Sequence, residues 1–236
     1  MRLDYGFMAG LSLSILKGLP VTVGLSLWTL ALALPAGLGL ALVRIYRPRG
    51  FNRAAALWVS FFRGTPIVLQ ILIVYSLLPS LLNALSVRYG LAWRVFDVNP
   101  FWYAVIVFAL NTSATFAEVF RSAILTVDRG QLEAALAAGL STPRAWRRIL
   151  LPQAFLVALP NLANGTVNLL KGTSLAFMMT VKDVTAVARI EASYGYQYIE
   201  AYLVVFACYA ALGLTVQAGF ALAERALGAY RRTVLY

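Results

Sequence analysis

The sequence has 236 residues, 61% of them hydrophobic and 12% charged, with a mean hydropathy of +0.77. A soluble domain of this size needs far more polar residues to cover its surface, so composition makes the bilayer the main solvent. The formal charge of +11 would suit a nucleic acid, but Lys and Arg fall between long apolar windows rather than on a solvated face, so no nucleic-acid partner is expected. With no histidine and one cysteine, Cys208, inside an apolar window, the chain offers no metal-ligand set, no disulfide framework and no catalytic residue.

Residues 1–19 combine Leu11, Leu13, Ile15 and Leu16 with Ser12, Ser14 and Lys17, a pattern for a short interfacial helix along the membrane surface. Five uncharged windows of at least 20 residues follow, at 18–43, 64–87, 98–117, 149–170 and 201–223. At about 1.5 Å rise per residue each is long enough to cross the roughly 30 Å hydrocarbon layer. Ala31-Leu32-Ala33 resembles a signal-peptidase site, yet the apolar run continues beyond it into a basic cluster, which reads as a retained span. The expected fold is all-α and integral to the membrane, a single domain over 1–236 with five transmembrane helices.

Basic residues near span ends are held on the cytoplasmic side. Twelve lie in the first loop, between spans three and four, and in the C-terminal tail, against six in the other segments, where five acids dilute them. The N-terminus is therefore expected outside and the C-terminus inside. Between spans three and four, Gln131 to Ala138 is rich in helix formers, Gly139 suits a helix C-terminus, and Ser141-Thr142-Pro143 suits the cap and first turn of another helix.

That segment carries a recognisable pattern. Glu133-Ala134-Ala135, Gly139, Ile149 and Leu151-Pro152 match at every position the EAA signature, which is EAA, three residues, G, nine residues, I, one residue, LP. The chain thus resembles the permease subunits of ABC importers. Phe62-Arg63-Gly64-Thr65-Pro66, Ala117-Glu118-Val119-Phe120-Arg121 and Leu170-Lys171-Gly172-Thr173-Ser174-Leu175 resemble the polar amino-acid uptake branch, and the resemblance runs over roughly 18–225. It departs at Thr115, where the branch usually has Tyr, and at Gly172, where an acidic residue is usual. The Lys171 to Phe177 and Arg121 to Ile124 stretches look most like permeases for cystine and related sulphur amino acids.

The resemblance implies a type I ABC importer permease fold in a bacterial inner membrane. It implies a homodimer or a heterodimer with a related permease, two cytoplasmic ABC ATPase subunits and an extracytoplasmic amino-acid-binding protein. It also implies that residues 131–143, with Glu133, Ala134, Ala135, Gly139 and Leu140, form the cytoplasmic coupling helix. No GxxxxGK[ST] sequence occurs, so this chain is not the ATPase, and ATP and magnesium belong to the partner. The competing readings are an ion-gradient-driven carrier and an ABC permease for a non-amino-acid solute, since the EAA loop is common to importers.

Ionisable groups in a membrane usually face a cavity or a partner, which singles out Arg63 and Lys171. Pro66 lacks an amide hydrogen and clashes with the preceding turn, so carbonyls near Phe62 and Arg63 are expected to lose helical partners and to be open to a substrate ammonium. The alternative is a simple kink with Arg63 snorkelling to the interface. Asn111 and Thr115 belong to a polar cluster in span three, and Glu118 is spaced for an ion pair with Arg121 or a substrate contact. The substrate-site candidates are Arg63, Thr65, Pro66, Asn111, Thr115, Glu118 and Lys171. Asn161, Asn164 and Asn168 share a helical face leading to Lys171, and that face is expected to point into protein.

Overall fold

A computed structural model describes residues 3–91 and 95–234, with side chains as far as Leu227. Arg2 and Arg94, counted above for orientation, lie outside the described residues. The described chain is helical without strands. Asp4 caps a short α1 (Tyr5–Ser14) by accepting from the Phe7 amide, and a 3₁₀ turn leads into α2 (Leu19–Tyr46). After a basic loop, α3 (Phe51–Gly64) stops at Thr65-Pro66, and α4 (Ile67–Arg88) continues beyond the break. The central helix α5 (Pro100–Thr126) starts on the Asn99 cap, and two short helices follow, α6 (Arg129–Ala137) and α7 (Thr142–Ala145). A π-helical turn over Trp146–Leu150 feeds α8 (Leu151–Gly172), and a 3₁₀ stretch connects to α9 (Val184–Gly195) and the long α10 (Tyr198–Val234).

Four of these helices, α2, α4, α5 and α10, are long and apolar enough to cross a membrane. The fourth window of the sequence becomes α8, which has the length but not the apolarity. Its 22 residues include Gln153, Asn161, Asn164, Thr166, Asn168 and Lys171.

Helix α5 is the hub. It packs against α2, α3, α4 and α8, and its side chains from Tyr103 to Ile124 supply much of the core, with Phe108 and Phe116 fully buried. Lipid tails are as apolar as leucine, so helices in a membrane are held by close packing, and small residues allow it. A Cβ on Gly37 of α2 would sit 2.9 Å from Phe116 Cβ, and one on Gly165 of α8 would sit 2.5 Å from Phe116 Cε1. Phe116 is therefore gripped between two glycines on neighbouring helices.

The N-terminal helix rests on the opposite part of the chain. Leu11 and Ile15 are buried against α9 and α10, Gln197 donates to Asp4 Oδ2 at 2.9 Å, and the Asp4 amide donates to Glu200. Gly18 touches the backbone of Asp183 so closely that a Cβ there would come within 2.6 Å of it. Asp183 is fully buried, caps α9 through the Ala186 amide at 2.8 Å, and accepts from the Tyr209 hydroxyl at 3.0 Å. The Val184 amide next to it donates to Thr22 Oγ1 at 3.2 Å. Helices α2, α9 and α10 thus meet at one buried polar node.

Candidate functional site

The break between α3 and α4 is built as the proline dictates, but its carbonyls are not left bare. Thr65 and Pro66 are extended, with ψ of 143° and 130°. The Thr65 hydroxyl donates to the Phe61 carbonyl at 2.8 Å. The Phe62 carbonyl accepts from two amides, Asn111 Nδ2 at 3.0 Å and Gln70 Nε2 at 3.1 Å. Gln70 also donates to Thr65 O and Thr65 Oγ1, at 3.1 and 2.8 Å, and its own oxygen accepts from Asn111 at 3.0 Å. The expectation of a free acceptor at Phe62 is therefore corrected. A carbonyl released by a proline inside a low-dielectric interior costs several kcal/mol if unpaired, and here two protein amides take that of Phe62.

Seven residues along α5 from Asn111, or about 10 Å, Glu118 gathers three arginines from three helices. Arg121 Nε lies 2.9 Å from Oε2. Arg44 of α2 is hydrogen-bonded and ion-paired to Oε1, and Arg63 of α3 stands 3.8 Å from the same oxygen. Arg63 is the loosest of the three, its side chain 51% exposed against 20% for Arg44. One carboxylate against three guanidinium groups leaves a net positive cluster. Both Glu118 oxygens are engaged, so the residue holds arginines in place rather than presenting a bare carboxylate.

Asn111, Thr115 and Glu118 fall at spacings of four and three, on one face of α5, and each is half-buried while their neighbours Thr112, Ser113, Ala114, Phe116 and Ala117 are buried. Helix α8 carries the matching strip. Pro160, Asn161, Asn164, Asn168 and Lys171 are all exposed on the chain's surface, and among the described residues Lys171 has no ion pair. Register between the helices follows from two contacts. Gly165 lies against Phe116, and Gly172 lies 3.6 Å, at its Cβ position, from Phe108 Cε1. The helices are antiparallel, with Asn168 level with Thr112 and Ser113, and Lys171 offset from Glu118 by about 13 Å at 1.5 Å per residue. The seven candidates therefore do not form one contact shell. Arg63, Thr65, Pro66, Asn111 and Glu118 adjoin the α3–α4 break, whereas Lys171 marks the far end of a separate strip.

The segment between α5 and α8 forms a free-standing bracket. Asp128 caps α6 by accepting from the Gly130 amide at 2.8 Å. The helix ends at Ala137, earlier than the expected 131–143, because Gly139 turns left-handed with φ +84°. Leu140 N then donates to Ala135 O at 3.1 Å, closing the end as a Schellman motif. Ala135 is buried, while Glu133, Ala134 and Leu136 face outward. The bracket is tied back by Gln153 Nε2 to Gln131 Oε1 at 3.1 Å and by Tyr46 against Trp146, ring centroids 5.2 Å apart.

Residues 33–229 match the family described as binding-protein-dependent transport system inner membrane component. The chain belongs to this family. It is an ABC importer permease, a multi-pass inner-membrane transport subunit and not an enzyme. A probable amino-acid ABC transporter permease of Vibrio harveyi is 36% identical over 209 residues, 89% of each chain. An L-cystine transport system permease of Bacillus subtilis (strain 168) is 37% identical, over 88% of this chain and 84% of that one. The crystal structure of an amino acid ABC transporter with histidines superposes with a TM-score of 0.79 at 29% identity, covering 95% of this chain and 99% of that one. The all-helical type I permease fold expected from the sequence is the one observed.

Sequence reasoning about this permease missed Gln70 and Arg44. Gln70 is an amide in a largely apolar window, four residues after a proline, and that spacing is its signal. Arg44, which the charge count includes in the first loop, is in the last turn of α2 and reaches back to Glu118. The Asp183–Tyr209 pair gave no signal, because the two residues are 26 apart and on different helices.

Proposed function

We propose that this permease carries a polar amino acid inward, driven by ATP, along a passage lined by the polar faces of α5 and α8. One observation carries the reading: Asn161, Asn164, Asn168 and Lys171 form an exposed strip on a helix long enough to span. Amides and an ammonium facing lipid are costly, and the strip is affordable only against a polar passage or a protein partner. Helix α8 has 22 residues and measures about 33 Å, so it serves as the fifth span. The basic loops put the N-terminus outside and the bracket of α6 inside.

In this reading two permeases, identical or related, face each other across the passage, and an external binding protein delivers the cargo. ATP and magnesium sit on two cytoplasmic ATPase subunits. Helix α6 docks to an ATPase through Glu133, Ala134 and Leu136, and Gly139 and Leu140 fix the turn behind it. Lys171 receives the substrate carboxylate, and Arg63, beside the Thr65-Pro66 break, guards the inner end with Asn111, Thr115 and Glu118 as its frame. The L-cystine permease among the relatives supports cystine or a related sulphur amino acid as the cargo.

The test is ATPase activity in nanodiscs of this chain co-purified with its ATPase, with binding protein present and amino acids added singly. Stimulation by cystine alone supports the narrower cargo, and stimulation by another polar amino acid supports only the class. A complex that recruits no ATPase and moves substrate on an ion gradient would overturn the reading.

A further inference from the structure

Between α2, α8 and α10 runs an apolar groove of about 600 Å³, bounded by residues such as Leu27, Leu30, Phe155, Leu159, Val216 and Phe220. Three hydroxyls border it, and each is spent within its own helix. Ser26 donates to Thr22 O at 2.9 Å, Thr166 to Leu162 O at 2.8 Å, and Thr215 to Ala211 O at 2.9 Å. Nothing in the groove asks for a hydrogen bond, and it lies away from the polar strip of α8.

Shape and charge say what fills it. Along α10 the groove runs from Leu212 to Leu227, about 22 Å, against about 15 Å for the hydrocarbon of one leaflet. Gly219 lines it, and a Cβ there would meet nothing within 4 Å. A glycine inside a helix is less favourable than alanine by about 1 kcal/mol, and here its missing side chain keeps the floor open. The end formed by Phe155 and Leu227 is basic: Arg147 and Arg148, both exposed, precede Phe155 by about two turns. A linear apolar slot with cations at one end fits an acyl chain with an anionic head.

We propose that this groove is a binding site for an anionic phospholipid, with one acyl chain laid along α10 and the head group against Arg147 and Arg148. The proposal rests on reading α8 as a span, not on the cargo.

The assembled transporter in nanodiscs, containing phosphatidylglycerol with a diazirine on one acyl chain, tests it. Peptide mapping is expected to place adducts on the Gly219 to Leu227 stretch and around Phe155. Phosphatidylglycerol should label about fivefold more than phosphatidylcholine, and Arg147→Gln with Arg148→Gln should remove that preference. Gly219→Trp is expected to lower groove labelling about tenfold, whereas Leu77→Trp on the exposed face of α4 leaves it unchanged. If Gly219→Trp does not assemble, Ala223→Phe takes its place. Labelling spread evenly over α4 and the groove overturns the site, and so does cysteine cross-linking of Gly219→Cys to a second permease copy. Nucleotide-driven uptake in the same nanodiscs separates failures, since a transporting complex with an unlabelled groove loses only the lipid site.

Discussion

The side-chain amide of Asn111 donates to the main-chain carbonyl of Phe62 at 3.0 Å, joining the middle of α5 to the last turn of α3. Pro66 cannot supply an amide hydrogen there, and Asn111 does so from another helix, with Gln70 as its neighbour on both sides of the exchange. Asn111→Leu is expected to lower stability by about 1–3 kcal/mol, since a buried carbonyl and Gln70 Oε1 each lose a donor. Thermal unfolding in detergent measures this. An unchanged midpoint would mean that water replaces the amide.

The arginines on Glu118 predict a graded response. Arg44→Gln removes a tightly bonded, mostly buried partner and should destabilise by about 1–3 kcal/mol, whereas Arg63→Gln, longer in contact and half exposed, should leave the melting midpoint nearly unchanged. Transport should reverse the order, with Arg63→Gln the more damaging per unit of stability lost. Melting and uptake on the same preparations decide it, and parallel losses for both variants would make Arg63 merely structural.

Lys171 and Glu133 separate passage from docking. Lys171→Ala is expected to cut uptake by about tenfold while the complex with the ATPase forms normally. Glu133→Lys, on the outward face of α6, should instead weaken ATPase recruitment. Co-purification yields beside liposome uptake distinguish the two, and a shared failure at assembly would refute the division of roles.

At the buried node, Asp183→Asn keeps the Ala186 amide on its oxygen and reverses the Tyr209 bond, its amide donating to the Tyr209 oxygen while the hydroxyl hydrogen turns to Thr185 Oγ1. It removes a charge from a fully buried position, so stability should hold or rise. Asp183→Ala strands the Ala186 amide and the Tyr209 hydroxyl and should cost about 1–3 kcal/mol. Melting midpoints of the two variants make the comparison, and equal losses would show that the charge itself holds the node.

Gly18→Ala tests the close approach beside that node. Its Cβ would lie 2.6 Å from the Asp183 backbone, which has no flexible end to give way. The chain should lose at least about 1–3 kcal/mol, more than Gly10→Ala, which meets nothing.

Much of this was readable beforehand because it depends on local rules. Long uncharged windows become long helices, Gly139 ends α6 because only a glycine takes φ +84° cheaply, and Pro66 breaks the chain between α3 and α4. What sequence could not supply was pairing across helices. Nothing along the chain says that Gln70 and Asn111 would occupy the carbonyl that Pro66 releases, or that Arg44 at the end of α2 would join Arg121 on Glu118. Lys171 and Glu118 read as one set of intramembrane charges, and only the Gly165–Phe116 and Gly172–Phe108 contacts place them apart. The coupling segment expected over 131–143 is α6, the Gly139–Leu140 Schellman turn and the start of α7 rather than one continuous helix.

The uncovered asparagines of α8 have a consequence for the protein's life in the cell. If α8 spans as proposed, a copy made in excess of whatever shields that face holds three amides and an ammonium in hydrocarbon, at several kcal/mol for each unsatisfied group. Such an orphan is the least comfortable form of the molecule, the one most prone to tilt, partially withdraw or be recognised by membrane quality control. On that reading, the amount of permease that persists would be set by the supply of its counterpart as much as by its own synthesis.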